Sequence, residues 1–122
     1  MENYITAIAA NQNFIVGLKL ITALFLGMSL GIERAIAGKT AGIRTYGLVT
    51  MGSALFVILG VIASGGFTSA QAISDSTRFT AQIITGIGFI GAGLIIFRDS
   101  QVSGVTTAAG IWISAGVGVA IG

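Results

Sequence analysis

Along this chain apolar residues do not alternate with polar ones; they come in long uncharged runs separated by short polar breaks. From Phe14 to Ile32 the only charge is Lys19, whose stem can snorkel toward an interface. Residues 45–63, 79–97 and 102–122 carry no charge at all. As helices rising about 1.5 Å per residue, such runs are long enough to cross about 30 Å of hydrocarbon. Only helices or closed barrels satisfy every backbone group in lipid, and no period-two alternation supports a barrel. The pattern predicts an all-α fold: a polytopic membrane helix bundle with four spans, at about 15–34, 45–63, 79–97 and 104–122. Residues 1–13 read as a short polar N-terminus, mobile or folded into a brief interfacial turn, which leaves 14–122 for the bundle.

The breaks carry the charges. Glu33, Arg34, Lys39 and Arg44 follow the first run, with Gly38 and Gly42 to turn the backbone. Residues 64–74, rich in Ser, Thr and Gln around Gly65-Gly66, form the second loop. Arg98-Asp99-Ser100-Gln101 is the third break. Ala35-Ile36-Ala37 resembles a signal-peptide cleavage site, but no positive cluster precedes Lys19 and Glu33-Arg34 intrude, so the first run reads as a span. Orientation follows lysine and arginine in the short loops. Placing the first and third loops in the cytoplasm puts Arg34, Lys39, Arg44 and Arg98 there, with Arg78 and the N-terminus outside.

Composition agrees. Of 122 residues, 54% are hydrophobic and 8% charged, and mean hydropathy is +0.97. A soluble domain carries about a quarter charged residues, so the first partner implied is the lipid bilayer. A net charge of +2 builds no basic face for nucleic acid. Cysteine and histidine are both absent, which removes zinc sites, haem ligation and Cys-His or Ser-His-Asp nucleophiles. No catalytic or cofactor-binding residue is assigned, and an enzyme is the least supported class. With no proline, any kink must come from glycine or a side chain.

The nineteen glycines need a reason. Gly86, Gly88 and Gly91 spell G-x-G-x-x-G, yet the run is apolar and membrane-length, and Asp99 comes too soon to be the acidic partner of a dinucleotide loop. Close helix packing is the plainer reading. Ala23, Gly27, Gly31 and Ala35 recur every fourth residue in the first span; Thr106, Gly110, Ser114, Gly118 and Gly122 do so in the fourth. In the third, Gly88 and Ala92 share a face with Thr85 beside them. Small residues let backbones approach where lipid removes the hydrophobic drive between helices. A sharper alternative concerns Gly86, Gly88, Gly91 and Gly93. Each weakens a helix by about 1 kcal/mol relative to alanine, which predicts a locally unwound third span with carbonyls open to an ion.

Several blocks, in order, carry a family likeness: Gly31-Ile32-Glu33-Arg34, Lys39 to Thr45, Leu48-Val49, Gly52 to Phe56, Arg78, Gln82, Gly86 to Gly93, Gly104 to Ala109, and Trp112. Over residues 20–122 the chain resembles the membrane domain of the MgtC/SapB family of bacterial inner-membrane proteins. The resemblance implies a cytoplasmic-membrane protein tied to growth in scarce magnesium and, in pathogens, to survival inside host cells. It implies regulation of partner membrane proteins, the proton-driven ATP synthase among them, although similar proteins are often labelled magnesium transporters. Family members usually have a fifth span and many a soluble C-terminal domain, so the chain is expected to be a truncated piece of that pattern.

The charged residues have two readings. In the first, Glu33 pairs with Arg44 or Arg98 and the bases only anchor. In the second, Glu33 and Asp99 with the basic loop form a docking or ion-sensing face. Arg78, Gln82 and Thr85 make a polar stripe into the third span, read as an interhelical hydrogen-bond seam, with Asp75 one turn before Arg78 as its partner. Thr106 and Thr107 stand where hydroxyls can cap a helix. Magnesium, as a sensed or transported ion, prefers carboxylates, and Glu33, Asp75 and Asp99 are the weak candidates. Asp75 is expected across the membrane from the other two, so transport would need a homo-oligomer. The first functional reading is a regulatory membrane protein; the alternative is an oligomeric magnesium or ion transporter.

Overall fold

The computed structural model describes residues 1–66 and 70–122; the side chains of residues 2, 5, 8, 9, 70–72 and 98 lie outside the described residues. The chain forms α1 (Glu2–Ile36), α2 (Ile43–Ala63), α3 (Ala70–Leu94), a hairpin of β1 (Ile96–Arg98) and β2 (Gln101–Ser103), and α4 (Val105–Ile121). It is an all-α membrane bundle. Two stretches, Ala10–Ile36 and Ile43–Ala63, are long and apolar enough to cross a membrane, and Val105–Ile121 is a shorter apolar helix.

The expected polar terminus at 1–13 is instead the first turns of α1, which runs unbroken from Glu2. Its Ile, Ala and Gln residues are tolerable helix formers and no glycine or proline interrupts them. Helix α1 stops where Gly38, at φ +66°, turns left-handed: Gly38 N–H donates to Ala35 O and Lys39 N–H to Arg34 O, closing a Schellman motif. The third break is also tighter than a polar loop. Asp99 and Ser100, both at positive φ, form a two-residue turn, and the strands pair antiparallel with Phe97 opposite Val102. The third span therefore ends at Leu94, short of the expected 97.

Helix α2 is the centre of the bundle, in contact with α1, α3 and α4. A methyl group on Gly27 would lie 2.7 Å from Thr50 Cβ, and one on Gly31 2.7 Å from Ile43 Cα. On the other side, one on Gly118 would lie 2.8 Å from Ser53 Cβ, and one on Gly110 3.0 Å from Tyr46 Cζ. Around these approaches sit buried Ala23, Tyr46, Thr50, Ala54, Ile58, Ile111, Ser114 and Ala115. Gly60 does the same for the Phe79 ring of α3, a contact missed in the sequence because Gly60 belongs to no four-residue ribbon.

The glycine-rich stretch of α3 behaves differently. The helix is continuous through it, not unwound. Ile87 and Gly91 are buried and face the core with partly buried Ile83 and Leu94; a methyl group on Gly91 would meet Ala108 Cβ at an ordinary 3.7 Å. A methyl group on Gly86, Gly88 or Gly93 would meet nothing within 4 Å, and Thr85 and Ala92 are exposed on the face of Gly88. Within this chain the small face of the third span points outward.

Two substitutions separate these classes of glycine. Gly118→Leu drives a side chain into α2 and is expected to cost about 3 kcal/mol or more, seen as loss of monodisperse protein in detergent. Gly86→Ala meets open space and is expected to raise helix stability by about 1 kcal/mol, seen as a higher unfolding temperature. Equal damage from both would contradict this packing.

Candidate functional site

The polar residues collect at the two ends of the bundle. One end is built by the α1–α2 loop, the hairpin and the start of α4. Arg34, on the last turn of α1, has a side chain only 15% exposed and pairs with its neighbour Glu33, whose side chain is 78% exposed. The expected partner was Arg44 or Arg98; adjacency on the helix end makes Arg34 the nearer cation. Arg44 is exposed, and the Arg98 side chain lies outside the described residues. Asp99 is exposed at the hairpin turn.

Two hollows flank Arg34. One, of about 310 Å³, is lined by Leu30, Glu33, Arg34, Tyr46, Thr106 and Gly110 among others. The second, of about 350 Å³, is lined by Arg34, Lys39, Gly104, Val105, Thr106 and Thr107 beside Val102. The N-cap of α4 is Gly104 at φ 87°, with no side-chain hydrogen bond to the cap. Thr106 and Thr107 therefore do not cap the helix, because the residue that would do so precedes them and has no side chain.

Tyr46 closes the floor of this end. Its hydroxyl donates to the Thr107 carbonyl at 3.2 Å, and Gly110 leaves room for the ring. One turn on, the Thr50 hydroxyl donates to Tyr46 O at 2.9 Å. With Ser53 and Ser114, these form a buried polar line along α2 and α4 that sequence reasoning missed. The available signal was small hydroxyls and one tyrosine inside otherwise apolar spans. Ser114 Oγ is sealed and has no hydrogen-bond partner among the described residues.

At the opposite end the Ser64 hydroxyl lies 2.8 Å from both the Asp75 carboxylate and the Gly60 carbonyl, and donates to one at a time. Arg78 stands 4.0 Å from Asp75 and is well exposed. A hollow of about 520 Å³ joins Ser64, Asp75, Arg78, Phe79 and Gln82. Among the described residues no interhelical hydrogen bond runs along Arg78, Gln82 and Thr85: Thr85 donates to Ala81 O in its own helix at 2.9 Å, and Gln82 is exposed. Lys19 reaches this end too, donating to Gly122 O at 2.7 Å. Glu33 and Asp75 thus sit at opposite ends, and no group of three metal-ligating residues forms among the described residues.

Between the ends, an apolar groove of about 520 Å³ runs between α2 and α3, lined by Val49, Gly52, Phe56, Gln82, Gly86 and Ile90 among others.

The sequence profile of the MgtC family matches residues 20–122, the whole of this bundle from mid-α1 onward. This chain belongs to the MgtC family. Among curated relatives, the putative magnesium transporter YhiD of Escherichia coli K12 is 43% identical over 109 residues, covering 86% of this chain and 49% of its own length. Protein SrpB of Synechococcus elongatus is 43% identical over 112 residues, covering 85% and 61%. Protein MgtC of Brucella abortus is 44% identical over 103 residues, covering 84% and 40%. The chain spans about half the length of the curated relatives it matches. No solved structure matches it.

Tyr46→Phe removes one buried hydrogen bond and is expected to cost about 1 kcal/mol. Ser114→Ala removes an unpartnered hydroxyl and is expected to raise the unfolding temperature instead. Thermal unfolding of both variants in the same detergent checks the signs; a destabilised Ser114→Ala would mean that the hydroxyl has a partner after all.

Proposed function

We propose that this chain is the membrane-embedded part of a bacterial inner-membrane regulator of growth in scarce magnesium, and in pathogens of survival inside host cells, which works by docking on other membrane proteins. The observation that supports it most is the outward face of α3. Gly88, with exposed Thr85 and Ala92, presents bare backbone outward on one flank of α3, and Gly86 opens into the apolar groove against α2 on the other; a neighbouring transmembrane helix can approach such a small face closely. Gly27, Gly31, Gly110 and Gly118 of α1 and α4 let the bundle close, and Gly86, Gly88 and Gly93 of α3 are left for a partner, or for a second copy of this chain. Loops one and three meet at one end, with Arg34, Lys39, Val102 and Gly104 to Thr107 around one hollow, and the excess of lysine and arginine there argues for a cytoplasmic setting.

A transporter reading draws on the name of the Escherichia coli relative, a putative magnesium transporter. Against it stands the placement of the carboxylates: Glu33 is engaged by Arg34, and Asp75 is held by Ser64 near Arg78 at the other end. A magnesium path would have to be assembled from several copies. Two measurements divide the readings. Gly88→Leu is expected to leave insertion and unfolding temperature unchanged while partner proteins crosslinked in native membranes under magnesium starvation are lost. Purified protein in liposomes is expected to pass no more Mg²⁺ than empty liposomes. Robust flux abolished by Asp75→Asn would overturn the regulatory proposal.

A further inference from the structure

We propose that the hollow between the α1–α2 loop and the first turn of α4 is a binding site for a phosphate group. Four features of the hollow converge on that chemistry. First, it is lined by two cations from different segments, Arg34 and Lys39. Arg34 is held in place by burial, and the Schellman turn at Gly38 fixes the backbone of Lys39 one residue beyond it.

Second, the hollow receives the N-terminus of a 17-residue helix that has no side-chain cap. The first donor within α4 outside its opening turn is Ala108 N–H, to Gly104 O at 2.9 Å. The N–H groups of Val105, Thr106 and Thr107 precede it and have no acceptor inside the helix, and all three residues line the hollow. Gly104 is required for this approach. Its φ of 87° is left-handed, and a Cβ there would stand 3.0 Å from the Leu94 carbonyl carbon. Free amides at the positive end of a helix are donors already oriented toward an anion.

Third, Thr107 is 4% exposed and its hydroxyl has no hydrogen-bond partner among the described residues. Unlike Ser114 Oγ it is not fully sealed in protein, and its residue lines the hollow. A buried hydroxyl with no acceptor, in a wall that sets two cations and free N–H donors beside Val102 and Val105, points to a ligand with several acceptor oxygens. Fourth, the hairpin forming the rim exposes Ile96, Phe97 and Val102, apolar residues suited to the membrane border. The site then lies at the depth of lipid headgroups.

A tetrahedral oxyanion matches this donor set: the guanidinium fork, the ammonium, the amides of the first turn and one hydroxyl. Glu33 opposes it in part, but its carboxylate pairs with Arg34 and lines the neighbouring hollow, not this one. The phosphate belongs either to a lipid headgroup or to free phosphate in the cytoplasm. The wall reads the phosphate and does not distinguish the two.

The test uses the full chain purified in a maltoside detergent, which carries no phosphate. One arm is native mass spectrometry with phosphatidylglycerol against diacylglycerol, which has the same tails and no phosphate. The other is isothermal titration with inorganic phosphate against chloride at equal ionic strength. The expected result is one phosphatidylglycerol retained per chain in preference to diacylglycerol if the source is lipid, or saturable uptake of inorganic phosphate if it is free. In either arm Arg34→Gln and Thr107→Val are expected to weaken binding about tenfold each, the loss of one strong donor. Thr107→Ser keeps the hydroxyl and is expected to bind as the parent does, and unchanged unfolding temperatures without ligand exclude misfolding. Equal binding by the parent and by folded Thr107→Val in both arms, or no preference for a phosphate-bearing probe in either, overturns the proposal. Neither result bears on whether partner proteins dock at the α3 glycine face.

Discussion

The bundle depends on how closely α2 lies to its two neighbours. In lipid no hydrophobic gain accrues from bringing apolar helices together, so contact must come from dispersion across short distances. Gly27 and Gly31 on one side and Gly110 and Gly118 on the other allow that distance, because a single methyl at any of them would meet α2 at 3.0 Å or less. Everything else follows from that spacing. Tyr46 reaches the Thr107 carbonyl, Thr50 and Ser53 are sealed between helices, and the start of α4 is set beside the loop that ends α1.

That geometry divides the polar residues between two ends and leaves one side of α3 open. At one end Arg34 and Lys39 meet an uncapped helix start; at the other Asp75 is held by Ser64. The proposed docking face and the proposed phosphate site are therefore separate features on one rigid frame. A phosphate held at the first turn of α4 would act on the same helix whose glycines set the distance to α2. The two proposals thus stand on different observations and share only the frame.

The helices and the two ribbons in α1 and α4 were legible because long uncharged runs and a four-residue spacing are direct consequences of helical geometry in lipid. Their boundaries were less so. Polarity at 1–13 says nothing against helix, and α1 begins at Glu2. Asp99-Ser100 forms a hairpin because both residues take positive φ, a conformation that composition alone does not announce. The Gly86–Gly93 cluster was the most conspicuous stretch, yet periodicity identifies a small-residue face without saying whether a neighbour in the same chain covers it. Here only Gly91 is covered. The Glu33–Arg34 pair and the Gly104 cap turn on side-chain reach and on one left-handed residue, which spacing does not show.

Loops one and three lie together at one end of a bundle threaded by α2, and the central proposal is that this end faces the cytoplasm. The chain has no cysteine, so single cysteines report without interference. Lys39→Cys, Gln101→Cys and Thr77→Cys, all at exposed positions, can be labelled with a membrane-impermeant maleimide in inside-out inner-membrane vesicles. Residues 39 and 101 are expected to react at once, and residue 77 only after the vesicles are permeabilised. Labelling of 39 and 101 from opposite sides of the membrane would contradict the arrangement.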